Sequence, residues 1–330
     1  MLKKNPITLF GSFQSFQPEA FFIRKYVEGL IRSGYRVNIR EKKGKDHDSD
    51  FPIKKPFTDI IVIKTPPDGI EIGFVEPKDF PKVKGGKKGI FFFVEAVPAP
   101  RTWIDGANKH FDFCVVPSKF VKTIAERSGI SIPIEIIPYT PAEHKETKPR
   151  ADGIFRFKSI ATPDKRRNIP FMIHAFMELF FENENLELVI KTFPNSKHGK
   201  VRHWEEDVEE LKNNYGMYGN VKIVDEVYND DQMIGFLDDA DCYIQVSSAE
   251  GMGLFIFEAV KRGIPVIATD YGAHTDYLKG SYVPVEYEMD WVKGHYHGKE
   301  DFPALVAKPG WESYKKALSE MYNNYLKTKK

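Results

Sequence analysis

Two glutamates, Glu250 and Glu258, flank a glycine-rich turn and the start of a helical pattern. The turn Gly251-Met252-Gly253 follows the first, and an apolar segment beginning at Leu254 leads to the second. A glycine-rich turn before a helix presents free backbone N–H groups and the positive end of the helix dipole, which suit a phosphate or diphosphate. Carboxylates repel phosphates but accept hydrogen bonds from sugar hydroxyls. The combination predicts a site for a ligand that carries both.

The spacing of the two glutamates leaves a simpler interpretation open. Eight positions are a little over two helical turns, so both carboxylates can lie on the side that faces a ligand. Equally, Glu250 can act as a partner of the helix dipole, and Glu258 as an ordinary exposed helix residue. Spacing alone supports the two interpretations equally.

The elements that must hold these residues alternate between strand-like and helix-like segments along the chain. Several strand-like segments are continuously apolar, including 88–94 and 111–118, which is typical of a parallel sheet covered by helices on both faces. Segment 59–64 is predicted to be another of these strands. A helix is predicted between Ser118, a good N-cap, and Gly129, a good terminator.

The domain organisation follows from length and from one polar segment. A chain of 330 residues corresponds to about two domains, and the proline-containing segment 139–152 is predicted to link them. We expect an α/β protein with two Rossmann-like, doubly wound parallel-sheet domains that face a central cleft. Residues 1–150 would form the first domain with the linker, and 151–308 the second. Residues 309–330 are predicted to form a helix that crosses back to the first domain.

Charge is divided unevenly between the two halves. The whole chain has 48 Lys and Arg against 47 Asp and Glu, but residues 1–150 have 26 against 18, and the rest 22 against 29. A basic first half suggests an anionic partner, such as a phosphorylated acceptor or a lipid surface. An uneven distribution of surface Lys and Glu without any functional meaning explains the counts equally well.

Composition and motifs exclude several classes of protein. A hydrophobic content of 42% excludes a disordered chain, and two distant cysteines, Cys114 and Cys242, argue against a disulfide scaffold or a cysteine zinc site. No apolar run approaches the roughly 20 residues that span a bilayer, and no signal peptide is apparent, so we expect a cytoplasmic protein.

Residues 10–16 lack the G-x-G-x-x-G motif of a dinucleotide-dependent dehydrogenase. Segment 46–50, DHDSD, has metal-ligand residue types, but a solvated turn is the favoured interpretation.

Residues 250–272, EGMGLFIFEAVKRGIPVIATDYG, resemble the E-x7-E signature of retaining GT-B glycosyltransferases, family 4 in particular. Segments 88–139, 165–176 and 221–251 are similar to further parts of the family pattern, in the family's order. The resemblance implies a GT-B fold and the transfer of a hexosyl group from a nucleotide-diphospho-sugar to an acceptor hydroxyl, with the anomeric configuration retained. It also implies that no metal and no cofactor is needed, since cations and a helix N-terminus do the metal's work.

Carried onto the second half of the chain, the resemblance assigns the donor site. Glu258 would hold the ribose hydroxyls. Glu250, together with Gly251 and the backbone of the next three residues, would hold the donor hexose and the diphosphate. The base would lie against a backbone segment of three residues: Asp225, Glu226 and Val227.

In the first half, the resemblance assigns two further positions. The loop that contains Gly11 and Ser12 would lie near the phosphates and the acceptor. Glu95, which follows the apolar run 88–94, occupies a position that often carries a polar residue facing the reacting sugar.

The cations of the diphosphate site depart from the family pattern. The family usually has an arginine and then a lysine after the first strand of the second domain, where this chain has Thr162 and Arg167. Lys165 and Arg166 add nearby charge, so the leaving diphosphate would be stabilised by Arg167 and one neighbour. At least one of these cations is expected to be a solvated surface residue.

Substrates and partners are predicted only as classes. The resemblance favours a UDP- or GDP-sugar as donor and a glycan, a lipid or a protein-linked sugar as acceptor, and no nucleic acid is expected. The basic first half suggests peripheral contact with the inner face of a membrane. Two other functions stay open: a nucleotide-sugar hydrolase or epimerase of the same fold, and a non-catalytic two-domain protein that binds a sugar nucleotide.

Overall fold

Two six-stranded parallel sheets carry the fold, one in each half of the chain. The computed structural model describes residues 6–16, 18–43, 51, 53–141, 152–192, 204–216, 218–295 and 302–328, and side chains throughout except at 204–208. The chain divides into two compact units, the first formed by 1–142, 196–201 and 292–305, and the second by 143–195, 202–291 and 306–330.

The first unit contains one of the sheets, in the order β2-β1-β3-β4-β5-β6, with every pair parallel. Its strands are β1 (Ile7–Gly11), β2 (Val37–Glu41), β3 (Ile70–Gly73), β4 (Lys87–Phe91), β5 (Phe113–Val116) and β6 (Ile134–Ile136). Its helices are α1 (Pro18–Arg32), α2 (Phe57–Ile60), α3 (Arg101–His110) and α4 (Lys119–Ser128). The strand order reverses direction between β1 and β3, so the loop after β1 lies at a topological switch point, where α/β sheets bind ligands.

The second unit contains the other sheet, in the order β12-β11-β10-β7-β8-β9, again with every pair parallel. Its strands are β7 (Phe155–Ile160), β8 (Leu186–Lys191), β9 (Val221–Val224), β10 (Cys242–Gln245), β11 (Val266–Thr269) and β12 (Val283–Val285). Its helices are α5 (Ile169–Phe180), α6 (Trp204–Tyr215), α7 (Asp230–Gly235), α8 (Leu254–Lys261) and α9 (Trp311–Thr328). A separate two-stranded sheet pairs β13 (Tyr287–Lys293) with β14 (Pro303–Pro309).

The α/β class and the parallel sheets confirm the predicted fold. The predicted ends of α4 are confirmed as well: the hydroxyl of Ser118 accepts a hydrogen bond from the Val121 N–H at 3.1 Å. Gly129 ends the helix in the left-handed conformation at φ 104°. The continuously apolar strands are buried on both faces, as in β1, where all five residues are buried.

The prediction of a strand at 59–64 is wrong. This segment makes a single bridge, between Ile61 and Ile39, and the side chain of Ile63 is 97% exposed. The third strand of the sheet is instead β3, whose four residues are all buried between β1 and β4. Apolar composition does not separate the two segments, because only the position within the sheet decides which one is buried.

The boundaries of the two units differ in detail from the expected domains. The first division falls at 142/143 rather than 150/151, and residues 292–305 join the first unit although they were expected in the second domain. Most of the expected linker, 142–151, lies outside the described residues, as does 46–50.

Helix α9 was expected to cross back to the first domain. The structure places residues 306–330 in the second unit, and α9 packs there against α5 and β12. Its four buried side chains all belong to the core of that unit: Tyr314, Ala317, Leu318 and Tyr322. Among the described residues, no helix is both long enough and apolar enough to cross a membrane.

Candidate active site

The predicted donor-site residues lie around the carboxyl ends of β7 and β10, which are neighbours in the second sheet. The strand order of this sheet reverses direction between these two strands. In open α/β sheets, ligands bind outside the carboxyl ends of the strands at such a switch point. The topology therefore brings together two loops that are distant in sequence, 161–168 after β7 and 246–253 after β10.

The turn before α8 is shaped by two glycines. Gly253 adopts the left-handed conformation at φ 68°, and its N–H donates a hydrogen bond to Oε1 of Glu250 at 3.1 Å. Gly272 approaches the same turn so closely that a Cβ on it would lie 2.9 Å from the Glu250 carbonyl oxygen. Glycine is required at both positions, at the first for its conformation and at the second for space.

The Glu250 side chain is buried and bonded to the guanidinium of Arg167. Nη1 of Arg167 donates a hydrogen bond to Oε2 of Glu250 and a second one, at 3.3 Å, to the hydroxyl of Ser247. Burial by itself raises the pKa of Glu250, but the charges of Arg167 and Arg166 and the Gly253 N–H outweigh it. The pKa therefore lies below its ordinary value, and the carboxylate stays ionised at neutral pH.

A buried ladder of hydrogen bonds runs along β10 to Arg167. The hydroxyl of Tyr243 donates to Oε1 of Gln245 at 2.6 Å, and Nε2 of Gln245 donates to the hydroxyl of Ser247 at 2.7 Å. These residues share one face of the strand because side chains alternate between faces. Sequence analysis missed this ladder; its only signal was three polar residues at every second position of an otherwise apolar segment.

The three neighbouring cations have different environments. Lys165 is exposed, whereas Nη1 of Arg166 donates to the Ala249 carbonyl at 3.3 Å. Only Arg167 pairs with Glu250, and its Nε is buried without a hydrogen-bond partner in the described part of the chain. The hydroxyl of Thr162, at the position expected for arginine, donates to Asp164.

Asn168 is a positioning residue that the sequence did not reveal. It adopts a left-handed conformation at φ 54° and begins α5. Its side-chain amide donates to the Val246 carbonyl at 2.8 Å and to the Ser248 hydroxyl at 3.0 Å. These bonds join the loop after β7 to the loop after β10.

Glu258 and His274 are both buried beside this turn. Glu258 is only 1% exposed, which contradicts the alternative that it is an ordinary exposed residue of α8. Nε2 of His274 lies 2.8 Å from the carbonyl oxygen of Thr269. Because a carbonyl oxygen can only accept a hydrogen bond, Nε2 carries the proton. Burial lowers the pKa of His274 below its ordinary value, so its ring is neutral at pH 7.

The segment predicted to lie along the base follows β9. The carboxylate of Asp225 pairs with Lys212 at 3.0 Å, and the Glu226 carbonyl accepts a hydrogen bond from the buried Lys191 at 2.9 Å. The side chain of Val227 is 44% exposed. The carboxyl ends of β8 and β9 are adjacent in the sheet, which brings Lys191 to this segment.

In the first unit, the loop after β1 is held by two residues that sequence analysis missed. The carboxylate of Glu41 accepts hydrogen bonds from the N–H groups of Phe13 at 3.0 Å and Gln14 at 3.3 Å. Arg24, which is buried, donates to the Phe13 carbonyl at 2.6 Å and to the Ser15 carbonyl at 2.8 Å. These bonds fix the backbone directly after Gly11 and Ser12, the predicted site residues.

Glu95 lies in the loop that follows β4, with its side chain mostly buried. Its Oε1 is 3.8 Å from Nε2 of His295, which belongs to the same unit although it lies 200 positions later in the chain. Val97 and Leu305 form a backbone bridge close by, with Leu305 N–H donating to the Val97 carbonyl at 2.7 Å. His295 and Leu305 thus both contact the loop that follows β4.

No group of three or more His, Cys, Asp or Glu side chains in the described part of the chain is arranged to hold a metal ion. The two cysteines are buried and unpaired, and burial raises the pKa of each thiol. The cationic and backbone groups around Glu250 favour an anionic ligand.

Solved structures share this architecture. The chain is similar to sucrose-phosphate synthase from Thermosynechococcus elongatus, with 14% identity and a TM-score of 0.63 over 97% of this chain and 90% of that one. It is similar to the E. coli trehalose-6-phosphate structure bound with UDP-2-fluoro glucose, with 11% identity and a TM-score of 0.59 over 85% and 88% of the chains. It is also similar to pneumococcal O-GlcNAc transferase GtfA in complex with UDP and GlcNAc, with 15% identity and a TM-score of 0.54 over 79% of this chain and 51% of that one.

At these identities the likeness shows the fold, which is GT-B with two Rossmann-like domains. Residues 142–283, which include the turn before α8, match the model of the family described as Glycosyl transferases group 1. None of the curated proteins matches the chain. Together with the shared fold, this match supports the resemblance found in the sequence, and the chain is a glycosyltransferase of the GT-B fold.

Proposed function

We propose that the protein transfers a hexosyl group from a nucleotide-diphospho-sugar to an acceptor hydroxyl, with retention of the anomeric configuration and without a metal ion. The observation that carries this proposal is the contact of Arg167 with the ionised Glu250 at the N-terminus of α8. It sets a cation, a carboxylate and a helix N-terminus side by side, which suits a ligand that contains both a diphosphate and a sugar.

In the proposed reaction, charge develops on the departing diphosphate. Arg167 and the N-terminus of α8 would stabilise that charge without reorganising, because both are held before the substrate binds. The buried Nε of Arg167, which has no partner within the described residues, supports this role because an unsatisfied buried donor is costly unless a ligand uses it.

The carboxylates would orient the sugars. Glu250 is ionised and can only accept hydrogen bonds, so it would accept them from the hydroxyls of the donor hexose. Glu258 would do the same for the ribose. In the first unit, Glu95 would face the reacting sugar, and the loop that contains Gly11 and Ser12 would lie near the phosphates and the acceptor.

The donor is proposed to be a UDP- or GDP-sugar, with UDP favoured by two neighbours of the same fold. One of these is bound with UDP-2-fluoro glucose, and the other is in complex with UDP and GlcNAc. For the acceptor we propose a glycan, a lipid or a protein-linked sugar. We propose a cytoplasmic location, with the basic first half in peripheral contact with the inner face of a membrane.

A calorimetric and thermal-shift screen of UDP-, GDP-, ADP- and TDP-sugars tests the donor site. One nucleotide family should stabilise the wild type and bind at least about 10-fold more weakly to Glu258→Ala, since a hydrogen bond to a charged group is lost. Glu187→Ala is the matched control, because Glu187 is also buried but pairs with Arg156 and Lys222 on the sheet.

Turnover of the bound donor then separates the functions. NMR of the product in the presence of EDTA should show retained configuration and an undiminished rate. Hydrolysis in the presence of acceptors would favour the hydrolase, and tight binding without turnover would favour a non-catalytic binding protein. Absence of binding by any sugar nucleotide would refute the proposal.

A further inference from the structure

Lys191 is a buried lysine for which no role in the transfer has been assigned. It ends β8 and is among the most completely buried large side chains of the described chain. Taking an ammonium group out of water is costly, and a methionine of similar volume would fill the space without that cost. The charge therefore needs an explanation beyond packing.

Two contacts of Lys191 lead to the segment that follows β9. Its Nζ donates hydrogen bonds to the Thr192 carbonyl and, at 2.9 Å, to the Glu226 carbonyl. The same Nζ lies 4.6 Å from the centre of the Tyr228 ring, within the range of a cation–π interaction. The ammonium thus ties segment 225–228 to the end of β8.

We propose that Lys191 is the positioning residue of the nucleobase subsite: by holding the Glu226 carbonyl it fixes the backbone of segment 225–228 against which the base is read. This inference rests on the proposed function and on the family resemblance, which assigns the base to residues 225–227 of that segment. A base recognised through backbone groups is discriminated only if those groups are held in place, because a mobile loop adapts to any base. Lys191 would therefore control selectivity between nucleotides more than overall affinity.

Lys158 provides a matched control in the same sheet. It is also a buried lysine, and its Nζ donates to the Phe236 carbonyl at 3.0 Å and to Asp239, and lies 4.2 Å from the Phe236 ring centre. These partners lie at the end of α7 and beyond it, not in segment 225–228. Its removal should disturb folding to a similar extent while leaving the hydrogen bond from Lys191 to the Glu226 carbonyl in place.

The experiment is a calorimetric titration of UDP, GDP and ADP into the wild type, Lys191→Met, Lys191→Arg and Lys158→Met. The wild type should prefer one nucleotide, and Lys191→Met should reduce the ratio of the Kd values by about 10-fold or more. Lys191→Arg, which keeps charge and donors, should restore part of the preference. Lys158→Met should keep the ratio within about 2-fold of the wild type.

A pH series on the wild type keeps the inference testable if Lys191→Met does not fold. Burial lowers the pKa of Lys191 to about 8, although the carboxylates of Glu226 and Asp225 raise it in part. The pKa of Tyr228, which faces the ammonium, is raised by burial. Between pH 7 and 9 the wild type should lose selectivity, whereas Lys191→Arg should not, and this comparison cancels titration of the nucleotides themselves. Equal selectivity in the two proteins at every pH would overturn the inference.

Failure of the inference is distinguishable from failure of the proposed function. If the wild type binds no nucleotide, the proposed function fails. If the wild type binds one nucleotide selectively and Lys191→Met keeps that selectivity, the proposed function stands and the role of Lys191 is refuted.

Discussion

Arg167 and Glu250 lie 83 residues apart in the sequence, yet the guanidinium of the first donates a hydrogen bond to the carboxylate of the second. They meet because β7 and β10 are neighbours in the sheet and their carboxyl ends point the same way. The pair joins the cation expected to stabilise the leaving group with the carboxylate expected to orient the sugar.

Replacement of Arg167 by methionine should lower both activity and stability. We expect kcat/KM to fall at least about 100-fold, because a preorganised cation is lost. The free energy of unfolding should fall by about 3 kcal/mol, because Glu250 is left as a buried carboxylate without its cation. Steady-state kinetics and denaturant unfolding measure the two effects.

The double variant Arg167→Met/Glu250→Gln distinguishes these two effects. It should recover much of the stability, since a neutral amide needs no counterion, but none of the activity. Arg101→Met is the control, because Arg101 and its partner Asp105 are both solvent-exposed and loss of the pair should cost no more than about 1 kcal/mol. A double variant that regained activity would exclude Arg167 from the reaction.

The ladder on β10 should orient Arg167, which a pair of tyrosine variants can test. Tyr243→Phe removes the hydroxyl that donates to Gln245, and we expect kcat to fall about 10-fold, or roughly 1.4 kcal/mol of barrier. Tyr314→Phe removes a buried hydroxyl that has no hydrogen-bond partner among the described residues. It should leave kcat unchanged, and equal losses in the two variants would mean that the ladder is only structural.

Gly253 and Gly263 allow conformational strain to be separated from function. Both are left-handed, at φ 68° and 70°, so alanine should cost each about 1–2 kcal/mol of stability. Of the two, Gly253 alone donates its N–H to Glu250. A Cβ added at Gly253 would lie 3.2 Å from Ile256 Cδ1, whereas a Cβ added at Gly263 would meet no atom of the described residues within 4 Å. We therefore expect Gly253→Ala, but not Gly263→Ala, to raise the KM for the donor. Steady-state kinetics and the melting temperatures of both variants test this.

Glu95→Gln tests the first unit. Because Glu95 is proposed to face the reacting sugar, loss of its carboxylate should lower kcat by about 100-fold, while the Kd of the nucleotide should not change. Calorimetry with the nucleotide and initial rates with the full donor measure the two quantities separately. An unchanged kcat would remove Glu95 from the catalytic residues.

The neutral state of His274 predicts a pH dependence of stability. Its pKa is lowered in the folded protein, so the unfolded chain binds the proton first as the pH falls below about 6.5. The stability that this residue contributes is present above its ordinary pKa and is lost as the pH falls towards the folded pKa. His274→Gln should therefore unfold with a smaller pH slope between pH 7 and 5, by about 1.4 kcal/mol per pH unit at most. An identical slope in the two proteins would show that folded His274 accepts the proton.

Local patterns were enough for most elements of the fold and for the choice of a candidate site. Helix α4 begins and ends at the residues that its capping signals predicted, and the E-x7-E segment pointed to Glu250 and Glu258 before any contact was known. Such features depend on neighbours within a few residues, whose effects are readable along the chain.

Long-range contacts were decided only by the tertiary structure. The sequence favoured Arg167 but did not show which of Lys165, Arg166 and Arg167 points inward, and the side chain that reaches Glu250 was decided by the position of β7 beside β10. The partners of Lys191 were likewise out of reach of the sequence, because they depend on which strand ends are adjacent. The segment 59–64 failed as a strand for the same reason: hydrophobicity is a property of residues, but burial is a property of the packed sheet.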